Sequence, residues 1–197
     1  MSTTASTTTN PAVRIVDDEE VPAAGRYALD VSHSQVGFAV RHLMVSKTRG
    51  RFSDFAGTVE IAENPLDSSV EVEIQTSSVD TRDEQRDGHL RSGDFFDAEA
   101  WPTMTYRSRS VRAAGKGRYV VEGDLTIKGV TQPVPLDLTF EGGATDPWGG
   151  VRIGFSANAE LDREAFGLSW NQALETGGVL VGKKVTIEIE AEAVRQA

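Results

Sequence analysis

Apolar and polar residues alternate with period two along most of this chain. Val36, Phe38 and Val40 lie two apart and so share one face of a strand. Phe55, Gly57, Val59 and Ile61 repeat the pattern. Val70, Val72 and Ile74 alternate with Glu71, Glu73 and Gln75, and Val185, Ile187 and Ile189 with Thr186, Glu188 and Glu190. Such patterning predicts antiparallel strands with one buried and one wet face. Together with the turn signals it places strands over 27–31, 34–40, 54–63, 68–75, 102–112, 117–128, 132–142, 149–162 and 183–194. The turns are marked by Asn64-Pro65, Gly115-Lys116-Gly117, Lys128-Gly129, Gly142-Gly143 and Pro147-Trp148-Gly149. Many strands at short spacing, with no long helix between them, predict an all-β sandwich or closed barrel. A barrel also removes the aggregation-prone edges of such long strands.

Two stretches depart from the alternation. Residues 41–48 read as one or two helical turns, and residues 80–97 as a longer helical excursion closing one end of the barrel. The first is cationic: Arg41 to Arg51 contains no acidic residue. Residues 1–24 are Ser/Thr-rich and then acidic, with too little apolar surface to offset ordering entropy. They are expected to be a disordered, dispensable leader before one domain over 25–197. The start lacks the basic and apolar regions of a signal peptide, which leads to the expectation of a cytoplasmic protein.

Composition narrows the function. The net charge of −10 argues against nucleic acid as a partner, which requires a basic face to displace counterions. The chain has no cysteine, excluding disulfides, thiolate metal sites and thiol nucleophiles. No apolar run approaches the length of a membrane span.

Candidate chemistry is sparse. Asp30, Ser32, His33 and Ser34 are neighbours, but adjacent strand residues point to opposite faces, and no G-x-S-x-G elbow is present. No enzyme is expected. The chain's three histidines, His33, His42 and His89, lack metalloprotease or zinc-finger spacing, yet three imidazoles meeting in space would suffice for a metal. Local hydrogen bonding in turns and at helix ends is the competing reading. Phe38, Phe52, Phe55, Phe95, Phe96, Tyr106, Phe155, Phe166 and Trp170 are spread over strands and helical pieces alike. An eight-stranded barrel either fills its interior with such side chains or holds one small ligand, and sequence alone leaves both open.

A set of short motifs in a fixed order points further. It begins with Tyr27-x-Leu29-Asp30-x-x-His33-Ser34, Val36, Phe38 and Arg41-His42-Leu43, then Gly50-x-Phe52 and Phe55-x-Gly57. Arg86-Asp87-Gly88-His89-Leu90-Arg91-Ser92-x-Asp94-Phe95-Phe96-Asp97 follows, with Trp101-Pro102. Gly123-x-Leu125-Thr126-Ile127-x-Gly129-Val130-Thr131 and Phe166-Gly167-Leu168 complete it. In this order the motifs resemble the YceI-like family, from about Tyr27 to Glu192. Two departures stand out: many relatives are exported to the periplasm, and many carry Lys where this chain has Gln132.

The resemblance implies an eight-stranded antiparallel, lipocalin-like barrel around a long apolar pocket. It implies noncovalent binding of an amphipathic isoprenoid lipid, such as a polyprenyl chain or isoprenoid quinone, with no cofactor. On this reading the pocket wall comprises Val36, Phe38, Val40, Phe52, Phe55, Val72, Ile74, Leu90, Phe95, Phe96, Tyr106, Phe155, Phe166 and Trp170. Arg41, His42, His89 and Arg91 form a rim for the head group. Relatives also suggest a homodimer. The alternatives are a metal- or haem-binding protein using His33, His42 and His89, and a filled-core barrel acting as an interaction module.

Overall fold

The computed structural model describes residues 10–43, 45–173 and 178–197. Its strands are β1 (Val13–Val16), β2 (Glu19–Pro22), β3 (Gly25–Leu29), β4 (Gln35–His42), β5 (Ser46–Phe52), β6 (Phe55–Ile61) and β7 (Ser69–Gln75). After β8 (Val79–Asp80) comes α1 (Glu84–Arg91), the one α-helix among the described residues. The chain then runs through β9 (Thr103–Gly115), β10 (Arg118–Ile127), β11 (Val130–Pro133), β12 (Leu136–Thr145), β13 (Val151–Asp162) and β14 (Val181–Arg195).

Eight strands close into an antiparallel barrel in the order β13-β12-β10-β9-β7-β6-β3-β14, with β14 returning to β13. The 15-residue β14 is the spine. One of its edges pairs with β13 from Asp162↔Lys184 to Arg152↔Val194. The other takes β4 along its first part and β3 at its end. Between β3 and β4 the chain jogs through a short 3₁₀ turn, where the Asp30 carboxylate accepts from the Ser32 amide. β4 extends the wall through β5 to β8, and α1 follows directly.

The alternation sorts side chains as expected. On β7, Val70, Val72 and Ile74 turn inward while Glu71 and Glu73 are exposed. Two glycines make room for aromatic rings on the inner wall. A Cβ at Gly50 would collide with the Phe38 ring, its cross-strand partner, and one at Gly123 with the Tyr106 ring. At one end the interior is filled by Tyr27, Ile61, Phe140, Ile153 and Ala193, with Ala12 packed against them.

Two expectations are corrected. The described residues of 41–48 are not helical: β4 runs through His42, Arg41 pairs with Lys47 and His42 with Ser46, making a strand hairpin. Leu43, at φ 53°, reverses the chain. Pairing of β4 with both β14 and β5 outweighs the weak local helix signal. The leader reading fails for residues 10–24, while residues 1–9 lie outside the described residues. β1 and β2 form a hairpin on the barrel, with Ala12 and Val21 buried. Arg14 pins it by donating to the carbonyls of Pro22, Ala62 and Glu63. Its apolar area is small but lands on an exposed end of the core, a docking surface invisible to composition.

Deleting residues 1–22 should therefore destabilise the barrel. The lost burial amounts to on the order of 2–3 kcal/mol, or a melting-temperature drop of roughly 5–10 °C for a chain of this size. Calorimetry of full-length and truncated protein checks this, and an unchanged melting temperature would show that the hairpin contributes nothing.

Candidate functional site

Inward-facing side chains of the barrel do not meet across it. They enclose a cavity of about 830 Å3 whose wall is almost wholly apolar. The volume lies within the range of sites that bury a small ligand. Val36, Phe38 and Val40 on β4 are only half-buried, because they face this space, while Gly37 and Ala39 on the outer face are covered. Phe52 and Phe55 end β5 and begin β6; Val72 and Ile74 stand on β7. Leu90 reaches in from α1, and Phe95 and Phe96 from the turns after it. Tyr106 on β9, Phe155 on β13 and Trp170 beyond β13 complete the aromatic part of the wall.

Phe166 lies elsewhere. It is 1% exposed, inside the packed core, because the 3₁₀ turn Arg163–Phe166 folds it away from the cavity. Arg91 is also absent from the wall. Its guanidinium donates to the carbonyls of Ser77 (2.8 Å) and Val79 (3.0 Å), tying α1 to the strand before it. The other three rim residues, Arg41, His42 and His89, do line the cavity.

These three mark one end of the barrel. His42 pairs with Val181 across β4 and β14. The His89 ring stands edge-on to Trp170 at 4.6 Å and to Phe95 at 5.1 Å, and its Nε2 lies 2.9 Å from the Asp94 carboxylate. His33 precedes β4 and His42 ends it. At about 3.3 Å per residue they lie on the order of 25 Å apart. The geometry thus rules out one metal or haem site shared by His33, His42 and His89.

Much of the wall comes from residues that reading for aromatics passed over. Leu125 and Ile127 on β10, Leu136 and Leu138 on β12, and Val185 and Ile187 on β14 all face inward. Their alternation was the available signal. Thr81, Arg86 and Arg163 also line the cavity. Arg163 sits between Asp162 and Glu164 in sequence, which reads as solvated surface, so no local signal marked it.

Burial pushes the Tyr106 phenol well above its usual range, and its hydroxyl donates to the carbonyls of Val121 (3.0 Å) and Val134 (3.1 Å). A phenol held so is a poor acid or base.

A polar cluster stands outside the cavity. Among the described residues, Asp30, His33 and Glu192 form the group whose ligand atoms come close enough for a metal ion. Arg152 already serves its carboxylates: the guanidinium bonds Asp30 (2.7 Å), Asp146 (2.8 Å) and Glu192. Hydrogen bonds from the Ser32 hydroxyl, then Arg152, then His33, hold the Asp30 carboxyl far below the usual range. A folded-state value below the unfolded one contributes stability at neutral pH, and that contribution is lost as pH falls below about 4. Asp30→Asn should therefore melt lower than wild type at pH 7, with the gap closing towards pH 2. Thermal melts across that range check it, and a gap that stays constant with pH would refute the linkage.

The model for the YceI-like domain matches residues 27–193. A UPF0312 protein of Staphylococcus aureus (strain USA300) is 39% identical over 168 residues, which cover 84% of this chain and 95% of that protein. The crystal structure of Burkholderia cenocepacia BcnA is similar at a TM-score of 0.73 and 24% identity, covering 83% of this chain and 98% of that one. A polyisoprenoid binding domain from Saccharophagus degradans is similar at a TM-score of 0.65 and 16% identity, covering 86% and 98%. At these identities the two structural likenesses show the fold.

Proposed function

The chain belongs to the YceI-like family, and from that premise we propose that it is a non-catalytic carrier of an isoprenoid-type lipid held in the barrel. One observation carries the reading: the apolar cavity of about 830 Å3 running inside the sheet. Eight-stranded barrels that act only as scaffolds fill this space. Here the wall offers aliphatic and aromatic surface over its length and almost no polar group that needs a partner. A long hydrocarbon chain answers such a wall, since each buried methylene contributes about 0.8 kcal/mol without any chemistry. The polyisoprenoid binding described for the S. degradans domain fits the same reading.

Orientation follows from the asymmetry of the two ends. Tyr27, Phe140 and Ile153 fill one end, under the β1–β2 hairpin. Arg41, His42 and His89 line the other. An amphipathic ligand enters tail first and leaves its head among these polar groups. No bound cofactor is needed for this role.

Native mass spectrometry of the purified protein should show one equivalent of a lipid mass. Phe38→Asp places a carboxylate on the wall, which costs several kcal/mol where it is dehydrated. In a roomy cavity it gains water once the lipid is gone. The variant should be folded by circular dichroism, lower-melting and lipid-free, and Val72→Asp on another strand should behave alike. Retention of lipid by both variants would place the ligand outside the barrel.

A further inference from the structure

Among the described residues, one buried cationic side chain in the cavity wall forms no ion pair. Arg163 is 3% exposed. Its Nε donates to the Gly182 carbonyl (2.9 Å), Nη1 to those of Leu168 and Trp170 (3.0 Å), and Nη2 to that of Val181 (3.3 Å). Four of its five N–H groups are thus used and one on Nη2 is left; Glu164 and Asp162 act on the charge only through space. Among the described residues no carboxylate forms an ion pair with it. Its neighbours are engaged elsewhere: Glu164 bonds Lys183 (2.7 Å), and Asp162 accepts from the Glu164 amide (2.9 Å). Burial accordingly lowers the pKa of Arg163. A buried ion that ends up unpaired is costly, and a ligand of opposite charge relieves the cost.

The surroundings have the same sign. Arg41 lies against Gly182, whose carbonyl Arg163 binds. His42 pairs with Val181, another of the acceptors. Trp170, a third acceptor, stands edge-on to His89 of α1, and Arg86 on that helix also faces the cavity. Among the described residues, three carboxylates oppose this set: Asp94 lies 2.9 Å from His89 Nε2, and the other two stand by Arg86. Asp83 caps α1 and lies 3.8 Å from Arg86. Asp87 is buried and reaches Arg86 only through the Thr81 hydroxyl, which accepts from Arg86 Nε at 2.7 Å. Both bear on Arg86, and neither on Arg163.

Resting on the carrier reading, we infer that the lipid's head group is anionic, a phosphate or a carboxylate, and that Arg163 is its principal recognition residue, with Arg86 and Arg41 beside it. A neutral quinone or alcohol would leave the buried charge unanswered. A charge-assisted hydrogen bond to the remaining Nη2 proton, with the field of the neighbouring cations, answers it.

The test is a comparison of ligands with matched tails. Geranylgeranyl monophosphate against geranylgeraniol, and all-trans-retinoic acid against retinol, are titrated into lipid-stripped full-length protein and followed by tryptophan quenching. Each acid should bind about tenfold tighter than its alcohol, the advantage of one charge-assisted bond. In Arg163→Gln the acids should fall to the affinity of the alcohols, which stays unchanged. Where that variant does not fold, the wild-type comparison decides alone. Equal affinity of acids and alcohols for wild type overturns this inference and leaves the carrier reading intact. Failure of all four to bind overturns both. A preference for the phosphate alone or the carboxylate alone identifies which anion the site reads.

Discussion

β14 closes the ring: the strand order that runs from β13 through β3 to β14 returns through it to β13, while its other edge takes β4 and β3. Closure through this strand has two consequences. The ring of eight strands has no free end, and its inward-facing residues are turned towards a common axis. Ring diameter then follows from strand number, and side-chain size decides whether the ring is full. At one end Tyr27, Phe140 and Ile153 meet and pack. Elsewhere Val, Leu and Ile predominate on the inner face, and they are too short to meet, so a cavity of about 830 Å3 remains.

The same closure makes the two ends chemically different. The hairpin of β1 and β2 covers the filled end, tied down by Arg14 and by the fit of Ala12 against Gly143. Near it, the ion cluster of Arg152 with Asp30, Asp146 and Glu192 joins the β3 exit, the start of β13 and the end of β14. At the other end the polar side chains serve the opening. α1 and the segment after β13 bring aromatic rings, imidazoles and guanidinium groups to the rim of an otherwise apolar space. On the proposed carrier reading, binding capacity and head-group recognition are separated along the barrel axis: the long wall would supply affinity for a hydrocarbon chain, and a few charges at one end would select its head.

Much of the wall was legible beforehand. The alternation of Val36, Phe38 and Val40, or of Val185, Ile187 and Ile189, states which side of each strand is apolar without reference to any partner. Phe166 and Arg91 were misread for one reason. Each sits in a turn or helix, where the period of two no longer tells which way a side chain points, and contacts made after folding decide: Phe166 goes into the core, and Arg91 out to two carbonyls. The leader was misread because ordering entropy was weighed against its own apolar content alone. The barrel end on which Ala12 and Val13 pack contributes the rest.

By itself the sequence determined the class of the fold, because strand periodicity, turn residues and the absence of long helical patterns are local properties. It also determined that thiol chemistry was unavailable, since a chain without cysteine carries that absence into any fold. Tertiary structure alone decided that the interior holds a cavity, because a void depends on whether side chains from opposite strands reach each other. It alone separated His33 from His42 by the length of a strand. And it alone turned Arg163, an arginine between two acids, into a buried cation with carbonyl partners, because the charges next to a residue in sequence lie outside the barrel while its side chain points in.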